Sequence, residues 1–178
     1  MVRAVFFDRD GTLNDDCGYT HSLSDLKPVP GADTLFQYVL EKGFLPVIVS
    51  NQSGIGRGYY TEDDFFIFTR ALIKTLTGPG TAAKIPIYHC PHLPESCLCR
   101  KPSPEMILRA CRELDINPNE SYFVGNSISD AEAAAMSNLC RIMILENDGV
   151  NQAELERLGA EGFASLSGIL DSMRKDLD

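Results

Sequence analysis

Short apolar segments alternate with longer amphipathic segments along most of this chain. The apolar segments are RAVFF (3–7), FLPVIVS (44–50), IPIYHC (85–90), SYFVG (121–125) and RIMIL (141–145). The amphipathic segments are ADTLFQYVLEK (32–42), EDDFFIFTRALIKTL (62–76), PEMILRACREL (104–114) and DAEAAAMSN (130–138). This alternation is typical of repeated βα units. It predicts an α/β fold in which an open parallel sheet carries helices on both faces.

Residues that start or stop helices support this assignment. Pro30-Gly31 precedes the first amphipathic segment, and Gly43 follows it at the position of a helix C-terminal glycine. Thr61 with Asp64 predicts a capping box, and Ser103-Pro104 predicts an N-cap followed by proline at the first helical position. The remainder, from 151 onward, contains two further helix-like stretches that we expect to serve packing.

Composition limits the size and the partners of the protein. The 178 residues are 44% hydrophobic, which suits one domain covering 1–178 without a large cap domain. The formal net charge of −9 disfavours nucleic acid and anionic membranes as partners. No segment approaches the roughly 20 apolar residues that span a bilayer. We therefore expect a cytoplasmic protein with no membrane partner.

Polar residues that suit phosphate chemistry follow the apolar segments, where parallel sheets bind their ligands. They are Asp8 and Asp10 after the first segment, Ser50 and Asn51 at the second, Arg100 and Lys101 before the third amphipathic segment, and Asn126 and Asp130 after the fourth apolar one. Singly, each group has an ordinary explanation as a solvated turn, a helix entry or a cap. Together they favour a catalytic site.

Two carboxylates two positions apart repel each other unless a cation such as Mg²⁺ lies between them or one is protonated. One carboxylate could attack phosphorus, and the other, held protonated, could donate a proton to the leaving alcohol. Ser50, Lys101 and the metal would stabilise the transferring phosphoryl group. The glycine run GIGRG (54–58) lacks the G-x-G-x-x-G spacing, so we predict a tight loop there and no nicotinamide cofactor.

The stretch Asp8 to Thr12 matches the DxDGT motif of the haloacid-dehalogenase-like phosphatases, which the sequence resembles. It is most similar to the zinc-containing branch, which includes heptose 1,7-bisphosphate and histidinol-phosphate phosphatases. DRDGTLN (8–14), GYTH (18–21), SNQSGIGRG (50–58) and CPHLPESCLCRKPSP (90–104) occur in the order typical of that branch. The resemblance covers roughly residues 4 to 145 and implies a capless, Rossmann-type fold and a monomer.

The resemblance also implies specific roles. Asp8 would be the nucleophile and a Mg²⁺ ligand, and Asp10 the general acid/base with its main-chain carbonyl on the metal. Ser50 and Lys101 would hold the phosphoryl group. The implied substrate-binding residues are Asp16, Cys17, Gly18, Tyr19, Asn51, Gln52, Ser53, Arg100 and Lys101.

Four soft or borderline metal ligands lie within ten residues in the loop at 90–99, namely Cys90, His92, Cys97 and Cys99. Three thiolates and one imidazole suit a closed, structural Zn²⁺ site that would order the loop before Arg100 and Lys101. His89 is an alternative ligand, and the C-x-H pattern of the branch favours His92. Without a metal, the loop would carry free thiols or one disulfide. The scattered Cys17, Cys111 and Cys140 are expected to pack in the core.

One position departs from the pattern of the family. Its fourth motif begins Gly-Asp, and here Gly125 is followed by Asn126, which offers an oxygen without charge. We expect weaker Mg²⁺ binding, which Asp130 could offset directly or through water. An impaired phosphate-binding module is therefore the alternative to an active phosphatase.

The resemblance implies removal of the C7 phosphate from D-glycero-D-manno-heptose 1,7-bisphosphate, in lipopolysaccharide or related glycan synthesis. Histidinol phosphate is the alternative substrate. A basic pocket formed by Arg100, Lys101 and Arg57 would suit a second phosphate, whereas the ammonium group of histidinol phosphate would prefer acidic residues. The sequence therefore favours a small phosphorylated sugar as the substrate.

Overall fold

A single six-stranded parallel sheet forms the centre of the protein. The computed structural model describes residues 1–78 and 80–178. The strands are β1 (Ala4–Phe7), β2 (Leu45–Asn51), β3 (Ile87–Cys90), β4 (Tyr122–Gly125), β5 (Arg141–Leu145) and β6 (Glu161–Phe163), in the order β3-β2-β1-β4-β5-β6. All neighbouring strands pair in parallel, which confirms the predicted sheet. The three-residue β6 was not predicted, because it is too short to show a periodic pattern.

Helices cover both faces of the sheet, as predicted. They are α1 (Ala32–Glu41), α2 (Ser53–Gly56), α3 (Glu62–Thr77), α4 (Glu105–Leu114), α5 (Ile128–Met136), α6 (Gln152–Arg157) and α7 (Leu166–Leu177). Apolar residues of α1, α3 and α7 pack in one core, and those of α4, α5 and α6 pack in the other. None of the described helices is long and apolar enough to cross a membrane.

Strand β1 shows why the sequence produces two cores. Its side chains alternate, so that Val5 and Phe7 enter the core with α1, α3 and α7, while Ala4 and Phe6 enter the opposite core. All four residues are fully buried. A strand covered on both faces is apolar throughout, which explains the uninterrupted run that ends just before Asp8.

The helix starts agree with the sequence at α1 and α3, whereas α5 begins at Ile128, two residues before the predicted segment. Thr61 and Asp64 form the predicted capping box at α3. Helix α4 begins at Glu105 with Pro104 as its N-cap, one residue later than predicted. The hydroxyl of Ser103 instead donates to the carbonyl of Leu98 at 2.5 Å, although it still accepts from the Glu105 amide at 3.3 Å. Ser103 therefore ties the cysteine loop to the helix start.

The predicted loop at 54–58 begins as the short helix α2. At Gly54 a Cβ atom would lie 2.2 Å from the ring of Tyr60, so only glycine lets this ring pack against the turn. The strand order reverses on either side of β1, which places the ends of β1, β2 and β4 around one crevice. This crevice is where a doubly wound sheet binds its ligands.

Candidate active site

A cavity of about 330 Å³ lies at the carboxyl ends of β1, β2 and β4. It brings together residues from four separate segments of the chain. Its lining consists of Asp8, Asp10, Asp16, Gly18, Tyr19, Ser50, Asn51, Gln52, Ser53, Tyr60, Lys101, Asn126, Ser127, Ser129 and Asp130. Most of the residues that the sequence nominated for phosphate chemistry therefore share one pocket.

Lys101 joins two carboxylates at the floor of this cavity. Its Nζ lies 2.6 Å from Oδ1 of Asp8 and 2.6 Å from Oδ1 of Asp130, and it also donates to the carbonyl of Val49 at 2.9 Å. The exposed fractions of the three charged side chains are 3% for Lys101, 10% for Asp8 and 2% for Asp130. One ammonium group is thus shared between two buried carboxylates.

The titration of these groups reflects their burial. Burial raises the pKa of Asp8 to about 7, with further rises from Asp130 and Asp10 that Lys101 opposes. Burial acts against the charge of Lys101, but Asp130 and Asp8 outweigh it and raise the pKa of this amine above its usual value. The protein alone does not balance the negative charge of the site, so a cation beside Asp8 would favour its ionised form.

Asp10 is held by an arginine that the sequence analysis did not nominate. Arg9 Nε donates to Oδ1 of Asp10 at 2.9 Å, and Arg9 Nη2 donates to Oδ2 at 2.8 Å. Gln52 Nε2 also donates to Oδ2 of Asp10 at 2.8 Å. The Asp10 carboxylate therefore accepts hydrogen bonds from both Arg9 and Gln52, and these fix its position in the site. The sequence did contain an indication of this role, because Arg9 stands between Asp8 and Asp10 directly after a buried strand.

The residues at the carboxyl end of β2 are largely bonded to other site residues. The Ser50 hydroxyl accepts from Gln52 Nε2 at 2.7 Å. Asn51 exchanges two hydrogen bonds with the main chain of Lys101, from its Nδ2 to the carbonyl at 3.1 Å and from the amide to its Oδ1 at 3.0 Å. Asn51 therefore fastens the Lys101 segment to β2, and Gln52 connects Ser50 to Asp10.

The predicted substrate-binding segment is only partly at the cavity. Asp16, Gly18 and Tyr19 line it, whereas Cys17 is exposed and bonds Thr20 instead. The Asp16 carboxylate accepts from the Gly18 amide at 2.8 Å.

The predicted basic pocket does not form around this cavity. Of Arg57, Arg100 and Lys101, only Lys101 is among the lining residues, and both of its carboxylate partners belong to the site. The guanidinium group of Arg57 instead lies 6.0 Å from the ring centre of Tyr19. Charge in the cavity therefore gives no support to a preference for substrates with a second phosphate.

Asn126 and Asp130 occupy different positions in the site. The side chain of Asn126 packs against Gly11, where a Cβ atom would lie only 2.0 Å from Asn126 Nδ2. Oδ2 of Asp130 accepts from the amides of Asn126 and Ser127, at 3.1 Å each, and thereby caps α5. Both oxygens of Asp130 thus have partners within the protein, while the amide of Asn126 lies beside the loop that carries Asp10.

The donor set around Asp8 fits a hard divalent cation. Carboxylate, amide and main-chain oxygens are the ligands that Mg²⁺ prefers, and Asp8, Asp10 and Asn126 can supply all three kinds. The raised pKa of Asp8 is a second indication, because the burial and like charges that cause it would be offset by a bound cation. The residues therefore fit Mg²⁺.

Cys90, His92, Cys97 and Cys99 converge to form a second candidate metal site. Their ligand atoms all lie within 4.8 Å of one another. The sulfur atoms are 3.0 to 3.5 Å apart, and Nδ1 of His92 is 3.3 Å from Cys99 Sγ. A tetrahedral Zn²⁺ ion with bonds of about 2.3 Å would need sulfur separations of about 3.8 Å, so the thiols would move slightly apart to hold it.

Neither a disulfide nor a different histidine is supported in the cysteine loop. All six cysteines are free. The expectation that the scattered cysteines pack in the core is wrong for Cys17 and Cys140, which are exposed, while Cys111 is partly buried. Nε2 of His89 lies 2.6 Å from Oε1 of Glu62, and His89 is not part of the cluster. His92 is therefore the histidine placed to hold a metal together with the three thiols.

Comparison with known proteins agrees with this geometry. Residues 14–138 match a family model described as haloacid dehalogenase-like hydrolase. The chain is 38% identical to a D-glycero-beta-D-manno-heptose-1,7-bisphosphate 7-phosphatase of Pasteurella multocida, covering 98% of this chain and 100% of that protein. It is 35% identical to a D-glycero-alpha-D-manno-heptose-1,7-bisphosphate 7-phosphatase of Campylobacter jejuni, covering 98% and 97%.

A solved structure is also similar over the full length. This is the D,D-heptose 1,7-bisphosphate phosphatase of B. bronchiseptica, complexed with magnesium and phosphate. The two chains are 25% identical and superpose with a TM-score of 0.80, covering 98% of this chain and 99% of the other. The resemblance seen in the motifs is thus confirmed, and the chain belongs to the haloacid dehalogenase-like hydrolase family.

Proposed function

We propose that this protein is a Mg²⁺-dependent phosphatase, formed by residues 1–178 as a single domain, that removes the C7 phosphate of D-glycero-D-manno-heptose 1,7-bisphosphate. The observation that carries the proposal is the Asp8 carboxylate, buried at the strand switch point and bonded to Lys101 at 2.6 Å. The full-length similarity to two heptose bisphosphate phosphatases supports the choice of substrate.

In the first step, an oxygen of Asp8 attacks phosphorus and the bond between phosphorus and the C7 oxygen breaks. The products are an aspartyl-phosphate and the alcohol. The leaving oxygen takes a proton from Asp10, which lines the same cavity.

In the second step, water attacks the phosphorus of the aspartyl-phosphate and Asp10 takes a proton from the water. Phosphate leaves and the Asp8 carboxylate is regenerated. Throughout, Lys101 and the Ser50 hydroxyl are placed to stabilise charge on the phosphoryl oxygens. The hydrogen bonds of Asn51 to the main chain of Lys101 keep this lysine against Asp8.

Mg²⁺ would be held by Asp8, the main-chain carbonyl of Asp10 and Asn126, with Asp130 as a further ligand or as the partner of Lys101. When bound, the ion neutralises the phosphoryl oxygens and orients them for in-line displacement. The magnesium in the B. bronchiseptica structure supports Mg²⁺ as the ion, while the choice of ligands rests on the donor set around Asp8.

Zn²⁺ is proposed for the cluster of Cys90, His92, Cys97 and Cys99. Such an ion would be structural, because four protein ligands leave no open position. The cluster ends directly before Arg100, whose Nη1 is buried without a hydrogen-bond partner among the described residues. Arg100 is not among the residues that line the cavity, so its proposed role in substrate binding rests on the family resemblance.

Phosphate release by the purified protein in Mg²⁺ tests the proposal, with kcat/KM compared between heptose 1,7-bisphosphate and histidinol phosphate. We expect a preference of about 100-fold for the sugar, which is about 2.7 kcal/mol of transition-state discrimination. Phosphorus NMR should show the C1 phosphate retained on the product, and supplying each anomer separately identifies the one used.

Asp8→Asn should abolish release, whereas the same change at the exposed Asp33 should not. A reverse preference would assign the protein to histidinol phosphate, which the surplus of carboxylates in the cavity would suit. No release from either substrate at any Mg²⁺ concentration would overturn the proposal in favour of a phosphate-binding module.

A further inference from the structure

Arg9 is the least accessible charged residue of the site. Its side chain is fully buried, and its guanidinium carbon lies 5.1 Å from the ring centre of Phe65 and 4.8 Å from that of Phe68. Burying a charge costs several kcal/mol unless partners offset it. Arg9 is buried in spite of this cost and lies beside Asp10, the proposed proton donor, which suggests a functional role.

The hydrogen bonds of Arg9 hold the Asp10 carboxylate in place. Two of its nitrogens meet the two oxygens of Asp10 in a fork, which fixes both the position and the plane of that carboxylate. Its remaining contacts anchor the guanidinium group itself: Nη1 donates to Thr69 Oγ1 at 3.1 Å, and Nη2 donates to the carbonyl of Thr20 at 2.6 Å. Arg9 is therefore fixed to α3 and to the loop after β1.

A second contact chain reaches Asp10 from the opposite side. Tyr60 donates to Oε1 of Gln52 at 2.5 Å, and Nε2 of Gln52 donates to Asp10 at 2.8 Å. Arg9 Nη2 also lies 3.3 Å from Oε1 of Gln52, which closes the network. Because both the Nε2 and the Oε1 of Gln52 are bonded to other side chains, Gln52 serves here to hold Asp10.

We propose that Arg9 is a positioning residue for the reaction, which acts by aiming the Asp10 carboxyl group at the leaving oxygen. This inference rests on the proposed function. Arg9 itself is buried and is not among the residues that line the cavity, so it acts through Asp10. Its loss should therefore impair both proton transfers of Asp10, and kcat/KM with the sugar reports the first of them, to the leaving oxygen.

Substrates with different leaving groups distinguish a positioning role of Arg9 from a purely structural one. An alkyl alcohol needs a proton as it leaves, whereas 4-nitrophenolate leaves without one. For Arg9→Met we expect kcat/KM to fall about 100-fold with heptose 1,7-bisphosphate, within the range of general-acid catalysis, and only a few-fold with 4-nitrophenyl phosphate. Since kcat/KM covers the steps up to alcohol release, slow hydrolysis of the aspartyl-phosphate does not obscure it. Arg9→Lys keeps the charge without the fork and should restore part of the loss.

A double-mutant cycle supplies an independent test. In an Asp10→Asn background, Arg9→Met should cause almost no further loss with the sugar, because the group that it positions is already absent. Equal losses with both esters, or losses that multiply in the double variant, would overturn the role of Arg9 and leave the proposed phosphatase intact. Absence of phosphate release by the wild type from both esters would instead overturn the proposed function, and this role with it.

Folding of the variants is checked by thermal unfolding. If Arg9→Met does not fold, Arg9→Lys and Thr69→Val replace it. Thr69→Val removes the acceptor of Arg9 Nη1 and the hydrogen bond that the Thr69 hydroxyl donates to the Phe65 carbonyl. In both variants kcat/KM should fall less than expected for Arg9→Met, and it should still fall more with the sugar than with 4-nitrophenyl phosphate. An equal loss with both esters in these variants would also overturn the proposal.

Discussion

The Nζ atom of Lys101 lies 2.6 Å from Oδ1 of Asp8, although the two residues are 93 positions apart in the chain. The same Nζ contacts Asp130, so this lysine neutralises carboxylates that follow two neighbouring strands. Removing one partner of a buried ion pair typically costs about 3–5 kcal/mol, because it leaves the other charge unpaired.

Lys101→Met should therefore destabilise the metal-free protein by about 3–5 kcal/mol and abolish phosphate release. Urea unfolding measures the free energy, and Lys84→Met, at an exposed position, is the matched control. Added Mg²⁺ should recover part of the lost stability, because a cation can take the place of the ammonium beside Asp8 and Asp130. A metal-free variant as stable as the wild type would contradict this role of Lys101.

The cysteine cluster predicts about one zinc ion per chain. Elemental analysis of the purified protein should find it, and Cys97→Ser should lose it and unfold at a lower temperature, because the ion orders the loop before Arg100. Cys140→Ser is the matched control, since Cys140 is exposed and outside the cluster. Protein without stoichiometric zinc, or a Cys97→Ser variant with unchanged unfolding, would refute the assignment.

Asn126→Asp tests whether residue 126 is a metal ligand. Two opposite unit charges about 4 Å apart gain on the order of 4 kcal/mol at an effective dielectric of 20, before hydration offsets most of it. The Mg²⁺ concentration for half-maximal activity should therefore fall at least about tenfold, which requires only about 1.4 kcal/mol.

Asn151→Asp is the control for this experiment, because it makes the same chemical change at the N-cap of α6, where aspartate is equally suitable. If Asn126→Asp has the same Mg²⁺ requirement as the wild type, residue 126 is not a metal ligand and its side chain only packs against Gly11.

A salt bridge far from the site predicts how stability depends on pH. Arg141 contacts both oxygens of Glu161, at 2.6 and 2.7 Å, across strands β5 and β6. This hydrogen bonding lowers the pKa of Glu161 from its usual value of 4.5. Because the folded pKa is the lower one, the stabilisation is fully present above about pH 4.5 and disappears as the pH falls through the folded value.

Glu161→Gln should consequently lower the free energy of unfolding at pH 7 by about 0.5–1 kcal/mol, the range for a partly exposed pair with good geometry. The difference from the wild type should narrow below about pH 4.5, where the wild-type carboxylate becomes protonated. Urea unfolding at a series of pH values measures both effects. A difference that is constant from pH 7 to pH 4 would mean that the ionic interaction contributes nothing.

Local patterns in the sequence were sufficient for the fold and for much of the site. The alternation of apolar and amphipathic segments predicted the parallel sheet, because a doubly covered strand such as β1 has to be apolar throughout. The spacing of Cys90 to Cys99 predicted their convergence, because three thiols and one imidazole in a single loop form the ligand set of a tetrahedral Zn²⁺ site. Asp8 and Asp10 were predictable because both follow β1 directly.

The tertiary structure alone decided which partners these groups have. Strand alternation turned Arg9 inward, where α3 supplies Thr69 and two aromatic rings, and the fork to Asp10 follows from that packing. Arg57 and Arg100, which the sequence grouped with Lys101, lie outside the cavity lining. The physical reason is that a short segment encodes its own periodicity and ligand spacing, whereas charge pairing depends on side-chain directions set by elements distant in the chain.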